Sequence, residues 1–156
     1  GCISLDEAIK AFPTSTIFIV GGIFPLSKAL VSSGAAEYLV NAISPVLSNL
    51  PPIILLGAIT FLMLLTTQFL MNSSATVLVL PIAIMLCQAA GINPLAGAMS
   101  VSVCASGAFV TPFGTAPNLL VWEAGGYSVK DYLKCGFPML IIFGVVTTAL
   151  CAVFYL

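Results

Sequence analysis

The stretch Thr66–Pro81, TTQFLMNSSATVLVLP, decides how the rest of the chain is read. A polar cluster, Asn72-Ser73-Ser74-Ala75-Thr76, lies in the middle of a long apolar tract, and no residue between Glu37 and Glu123 carries a charge. A soluble loop would not be flanked this way, and a plain membrane helix would not hold five small or polar residues in a row. The pattern predicts the tip of a re-entrant helical hairpin, spanning residues 51–90, buried inside a membrane protein. A second polar break, Thr111-Pro112-Phe113-Gly114-Thr115-Ala116-Pro117-Asn118, follows one helical segment later.

Composition sets the class. Of 156 residues, 60% are hydrophobic and 6% charged, whereas soluble domains average about 25% charged residues. So few charges cannot cover a soluble globule, which leaves an integral membrane protein. Histidine is absent and all four basic residues are lysines. His-based acid/base catalysis and Arg-clamped phosphate sites are thereby removed, and no basic patch suggests nucleic acid. The five cysteines show no CxxC spacing and read as small apolar residues.

Outward from the hairpin, residues 1–12 read as a short interfacial helix and 13–33 as a transmembrane helix carrying Gly21-Gly22 and Pro25. Residues 34–50 place Glu37, Asn41, Ser44 and Ser48 on one face, as an in-plane amphipathic arm would. Gly91-Ile92-Asn93-Pro94 is a turn. Residues 94–124 form a broken helix whose first half runs to Val110, Glu123–Lys134 is a polar loop, and 134–156 is the last transmembrane helix. The fold class is all-α membrane protein. The start at Gly1, with about three crossings and one hairpin by segment length, predicts a fragment of a longer transporter lacking its front half. Lys10, Lys130 and Lys134 share a side, which the positive-inside rule makes cytoplasmic.

The chemistry follows from broken helices. Carbonyls at a helix C-terminus favour a cation, and amides at an N-terminus favour an anion. The first arm ends near Leu70-Met71, where its carbonyls and the Asn72 amide oxygen could coordinate Na⁺. The second arm starts near Ser74-Ala75, where amides and the Ser73, Ser74 and Thr76 hydroxyls could hold a carboxylate. The second break repeats the arrangement with Thr111, Gly114, Thr115, Ala116, Pro117 and Asn118. The candidate substrate-binding residues are therefore Asn72, Ser73, Ser74, Thr115, Ala116, Pro117 and Asn118. The candidate Na⁺ ligands are Gln68, Met71, Asn72, Thr111 and Gly114. A single Asn in a membrane helix reads as helix-to-helix glue, but two compact breaks point to a solute site. Gln68 either orients the tip or bonds a neighbouring helix. Trp122 and Tyr127 read as an interface belt. We expect the two breaks to meet in space.

At these residues the chain resembles the divalent anion/sodium symporter family, the Na⁺-coupled dicarboxylate and citrate carriers, in its C-terminal half. That family's signature is Ser-Asn-Thr at a hairpin tip followed, nine residues after the Asn, by the Pro of an LLLPI-like run. Asn72 takes the Asn position, Ser73 the Thr position, and Pro81 falls in LVLPI. Thr115-Ala116-Pro117-Asn118 is similar to the TPPN-like break. IFIVGGIFPLSKALVSSGAAEYL resembles the helix and arm before the hairpin, and GGYSVKDYLKCGFP the loop before the last helix. Met71 stands where the motif has Ser, and Ala116 where a Pro is common.

The resemblance implies Na⁺ as coupling ion and symport of a small anionic solute, a di- or tricarboxylate, by an elevator-type movement in a bacterial inner or plasma membrane. It also implies a missing N-terminal half with the first inverted repeat, a homodimer when full length, and contact with membrane lipid. No bond is made or broken, so an enzyme is not expected. The rivals are another anion or a cation/proton carrier of the same superfamily, a non-transporting membrane subunit whose polar residues only pack helices, and an intramembrane enzyme.

Overall fold

The computed structural model describes residues 50–156 and, of those before them, residues 21, 22, 25, 28, 29, 31–35, 37, 38, 41 and 42. The interfacial helix expected over 1–12, the first crossing over 13–33 and the in-plane arm over 34–50 fall wholly or mostly outside the described residues. Five helices follow: α1 (Pro52–Thr67), α2 (Asn72–Ala89), α3 (Pro94–Cys104), α4 (Ala116–Gly125) and α5 (Val129–Tyr155). Among the described residues there is no strand. Two helices, α2 and α5, are long and apolar enough to cross a membrane.

α1 is the centre of the packing. Pro51 and Pro52 open it, because a missing N–H costs nothing where no intrahelical partner exists. Its buried residues are Leu55, Leu56, Ile59, Thr60, Met63, Leu64 and Thr67. They recur every three to four positions and so form one stripe. α2, α3 and α5 all contact α1, and α3 contacts α2 and α5 as well. The buried side of α3 is made of Ala96, Gly97, Ser100, Val101 and Cys104. Such small residues let helix backbones approach closely. At Gly97 a Cβ would lie 2.7 Å from Cys87 Sγ and 3.1 Å from the Ala83 carbonyl oxygen, so α2 and α3 meet there only because the side chain is absent.

The α2–α3 turn forms as expected. Gly91 has φ +69°, in the left-handed region, and Asn93 Oδ1 accepts the Leu95 amide at 3.0 Å ahead of Pro94.

Four boundaries differ from the sequence reading. The polar cluster 72–76 is the first part of α2, and the non-helical link is 68–71. Hence the first arm ends at Thr67 rather than Leu70-Met71, and the second starts at Asn72 rather than Ser74-Ala75. α3 stops at Cys104, not Val110, so the second break covers 105–115. The cause is Gln68, whose carboxamide takes over backbone groups of 107–110 that a continuing helix would have used.

Finally, α5 begins at Val129, inside the expected loop 123–134. Ser128 and Asp131 form a capping box, with Asp131 Oδ2 accepting from the Ser128 amide at 2.8 Å and from its hydroxyl at 2.7 Å.

Candidate functional site

The first break follows α1 and the second lies between α3 and α4, three helices too short to cross a bilayer alone. At 1.5 Å per residue α1 is about 24 Å long, α3 about 16 Å and α4 about 15 Å, against a hydrocarbon thickness of about 30 Å. Polar backbone at these ends needs partners within the protein, and two side-chain amides supply most of them.

Gln68 is 4% exposed. Its Nε2 donates to the Leu64 carbonyl at 2.7 Å and to the Gly107 carbonyl at 2.9 Å. Its Oε1 accepts the Val110 amide at 3.0 Å. The Thr111 hydroxyl donates to the Gln68 backbone carbonyl at 2.8 Å. The end of α1 is thereby fastened to the second break, some forty residues away in sequence.

Asn118 does comparable work inside the break. Its Nδ2 donates to the Ala108 carbonyl at 2.7 Å and to the Thr111 carbonyl at 3.2 Å. Tyr132, from the start of α5, donates its hydroxyl to the Asn118 carbonyl at 2.8 Å and anchors α4.

Two glycines hold the backbones together. At Gly114 a Cβ would lie 2.8 Å from Ala108 Cβ, 2.9 Å from Thr111 Oγ1 and 3.3 Å from the Thr67 carbonyl oxygen. The carbonyl end of α1 therefore faces the second break directly. At Gly136 an added Cβ would collide with the Phe109 carbonyl, so α5 closes the break from the other side.

The tip of α2 is different. The Met71 carbonyl accepts the Ala75 amide at 2.9 Å, and the Thr76 hydroxyl bonds back to the Asn72 carbonyl at 2.7 Å. Ala75 is buried, Asn72, Ser74 and Thr76 are half-buried, and Ser73 is exposed. The amides opening α2 lack intrahelical partners by position. Asn72 Oδ1 is buried and has no hydrogen-bond partner.

The expected site residues are thus partly gathered. Gln68, Thr111 and Gly114 come together. Thr115 is the extended residue before α4, with φ −142° and ψ 152°, and Ala116 and Pro117 after it are exposed. Asn72 and the segment 115–118 share no hydrogen bond among the described residues; the contact between the breaks runs through Thr67 and Gln68 instead. Gln68 has both ends of its side chain engaged by protein. Met71 is an exposed side chain whose carbonyl belongs to the first turn of α2. Tyr132 and Gly107 escaped the sequence reading. Nothing in the sequence separates Tyr132 from the neighbouring interfacial Tyr127, and Gly107 was hidden in a run of small residues.

Outside the apolar run that starts at Cys135, the Ser128 hydroxyl and amide hold the Asp131 carboxyl below the usual carboxylate range. The effect belongs to the helix cap, on an exposed group.

Comparison with known proteins places this arrangement. The family model described as citrate transporter matches residues 1–156. The chain is 32% identical over 155 residues to an uncharacterized transporter of Synechocystis, covering 99% of this chain and 25% of that protein. It is 33% identical over 138 residues to mouse solute carrier family 13 member 2, covering 88% of this chain and 23% of the relative. It is 32% identical over 130 residues to the rat Na⁺/citrate cotransporter, covering 83% and 23%. The chain therefore spans about a quarter of the length of these relatives. With its described residues mostly helical and without strand, its helices interrupted where polar side chains cluster, and a family match along its full length, the chain belongs to the citrate transporter family of integral membrane transporters, the divalent anion/sodium symporters.

Proposed function

We propose that this chain is the second inverted repeat of a Na⁺-coupled symporter for a small divalent anion, a di- or tricarboxylate. Its partners are an N-terminal half of the same carrier and, when full length, a second copy of it. In this reading α1 and α2 form a re-entrant hairpin, and α3 and α4 are the halves of a discontinuous helix. The body that carries them moves like an elevator against a scaffold in a bacterial inner or plasma membrane.

One observation carries the proposal. Asn72 Oδ1 is buried without a partner in the first turn of α2, five residues past the end of α1. Leaving such a group unsatisfied costs roughly 1–3 kcal/mol, so the fold gains when something there accepts its lone pairs. A hard cation fits, because carboxamide and carbonyl oxygens suit Na⁺. The Met71, Thr111 and Gly114 backbones lie around the two breaks to complete such a set, with Gln68 contributing through its backbone carbonyl and through the position of its neighbours. A Na⁺ here would supply positive charge for a carboxylate held by Ser73, Ser74 and the α2 amides on one side and by Thr115, Ala116, Pro117 and Asn118 on the other. The name of the rat relative, a Na⁺/citrate cotransporter, supports this choice of ion and anion.

The test is Na⁺-dependent uptake of citrate and succinate by the full-length carrier in proteoliposomes. Asn72→Ala is expected to abolish or right-shift the Na⁺ dependence while leaving the folded yield unchanged. An unchanged Na⁺ curve would remove Asn72 from the site. The lysine count further places residues 123–134 in the cytoplasm and Leu156 outside. A reporter fused after Leu156 that reads cytoplasmic would invert that orientation.

A further inference from the structure

α5 has 27 residues, about 40 Å at 1.5 Å per residue, and the hydrocarbon core is about 30 Å thick. Its apolar run starts at Cys135, so its first turns stand at headgroup depth. Lys130 and Lys134 lie there, one turn apart. Lys130, Leu133, Lys134, Phe137 and Pro138 follow the i, i+3, i+4, i+7, i+8 spacing of one helix face. All five line one wide-open, shallow surface of α5. Leu133 is 49% and Phe137 57% exposed. Asp131, the nearest acid in sequence, accepts from Ser128 and also interacts electrostatically with Lys134, so the pair of lysines keeps a net positive charge of one beside it.

We propose that this face binds an anionic phospholipid of the bilayer. The headgroup phosphate sits between the Lys130 and Lys134 ammonium groups, and an acyl chain lies along Leu133, Phe137 and Pro138. Both halves of the ligand are written on this surface. Lysine stems run along apolar surface while their charged ends reach the headgroup layer, and anionic lipid draws basic residues placed next to a membrane helix. A free phosphate would leave the Leu133–Phe137 stripe uncovered. A zwitterionic lipid would bring its own cation against the two lysines. The inference needs the chain to be membrane-embedded, as its family is, and is independent of substrate and coupling ion.

The experiment uses the full-length carrier in nanodiscs of phosphatidylglycerol and phosphatidylcholine. A photoactivatable phosphatidylglycerol probe is cross-linked and its attachment mapped by mass spectrometry, alongside native mass spectrometry of retained lipid. Each basic residue near the surface contributes about fivefold, so phosphatidylglycerol should be retained over phosphatidylcholine by up to about twenty-five-fold at this site. Cross-links should fall within residues 130–138. Lys130→Gln with Lys134→Gln should abolish both the preference and the cross-links, and the double Arg variant should keep them. Cross-links elsewhere on the wild type, equal retention of the two lipids, or a double Gln variant that behaves as wild type would each overturn the proposal. The first result also covers a surface occupied by another part of the carrier, and the wild-type mapping stands even if the Gln variant folds poorly.

Discussion

Asn72 and Asn118 are the same residue type in similar places, each in the first turn of a helix that follows a break. The structure employs them in opposite ways. Asn118 spends its amide nitrogen on the carbonyls of Ala108 and Thr111, and so holds its own break in shape. Asn72 leaves a buried amide oxygen without a partner. One asparagine spends its amide on its own break; the other keeps a buried oxygen unpaired. The difference arises from the lengths of the two links. The first, 68–71, is short and has α1 and α2 on either side. The second, 105–115, is long enough to expose several backbone groups that need internal partners.

The largest expected effect lies at the residue that joins the two regions. Gln68→Leu removes the donors to Leu64 and Gly107 and the acceptor for Val110. It leaves the Val110 amide buried and bare, at roughly 1–3 kcal/mol, and the Gly107 carbonyl with only the Phe109 amide. The full-length carrier should lose most of its folded yield and melt well below the wild type in detergent. Gln68→Glu should be nearly as damaging, since it keeps the acceptor for Val110 but turns a carboxylate toward two carbonyls. Wild-type melting of both variants would show that the α1-to-break bolt contributes little.

The next prediction sets the asparagines against each other. Asn118→Ala should lower stability by roughly 1–3 kcal/mol and reduce uptake through loss of folded carrier. Asn72→Ala should leave stability equal or slightly higher, because an unsatisfied oxygen is deleted, while Na⁺-dependent uptake fails. The sequence marks both as candidate ligands; the hydrogen bonds of Asn118 make it a structural residue as well. Measured Tm and uptake of the two variants side by side would decide it. Equal loss of stability in both would erase the contrast.

Much of the architecture was legible from the sequence. The uncharged stretch from Tyr38 to Trp122, the Pro51-Pro52 start, the Gly91–Pro94 turn and the two polar clusters mark helices and interruptions through local chemistry alone. The exact ends were not, because they depend on partners far away. α3 gives up its helix at Cys104 because a carboxamide from α1 competes for its next turn, and no window around Ala105 contains that carboxamide. The Ser128–Asp131 cap is a different failure. Its Ser-x-x-Asp spacing is a readable start signal, outweighed in reading by Gly125-Gly126 and by the charges around it. For Gln68 the sequence leaves open whether it orients the tip, bonds a neighbouring segment or holds Na⁺; its hydrogen bonds to Gly107 and Val110 tie it to the second break.

The smallest expected effect belongs to Tyr132. Its hydroxyl donates to the backbone carbonyl of Asn118 at 2.8 Å, so it touches the second region through the main chain of the residue that shapes it. Tyr132→Phe keeps the ring, which packs edge-on near Tyr127, and removes only that donor. A single neutral hydrogen bond contributes about 0.5–1.5 kcal/mol, and α4 has no fully buried residue of its own to hold it in place. The variant should fold with a Tm only slightly below wild type. Its consequence should appear instead in the amplitude of α4 motion: faster amide exchange over 116–125, with exchange in α1 and α2 unchanged. If exchange quickened equally around Asn72, the two breaks would behave as one mechanical unit, and the division of labour between the asparagines would have to be redrawn. If exchange in α4 did not change at all, α4 would be held by contacts other than Tyr132, and the second break would be stiffer than its hydrogen bonds suggest.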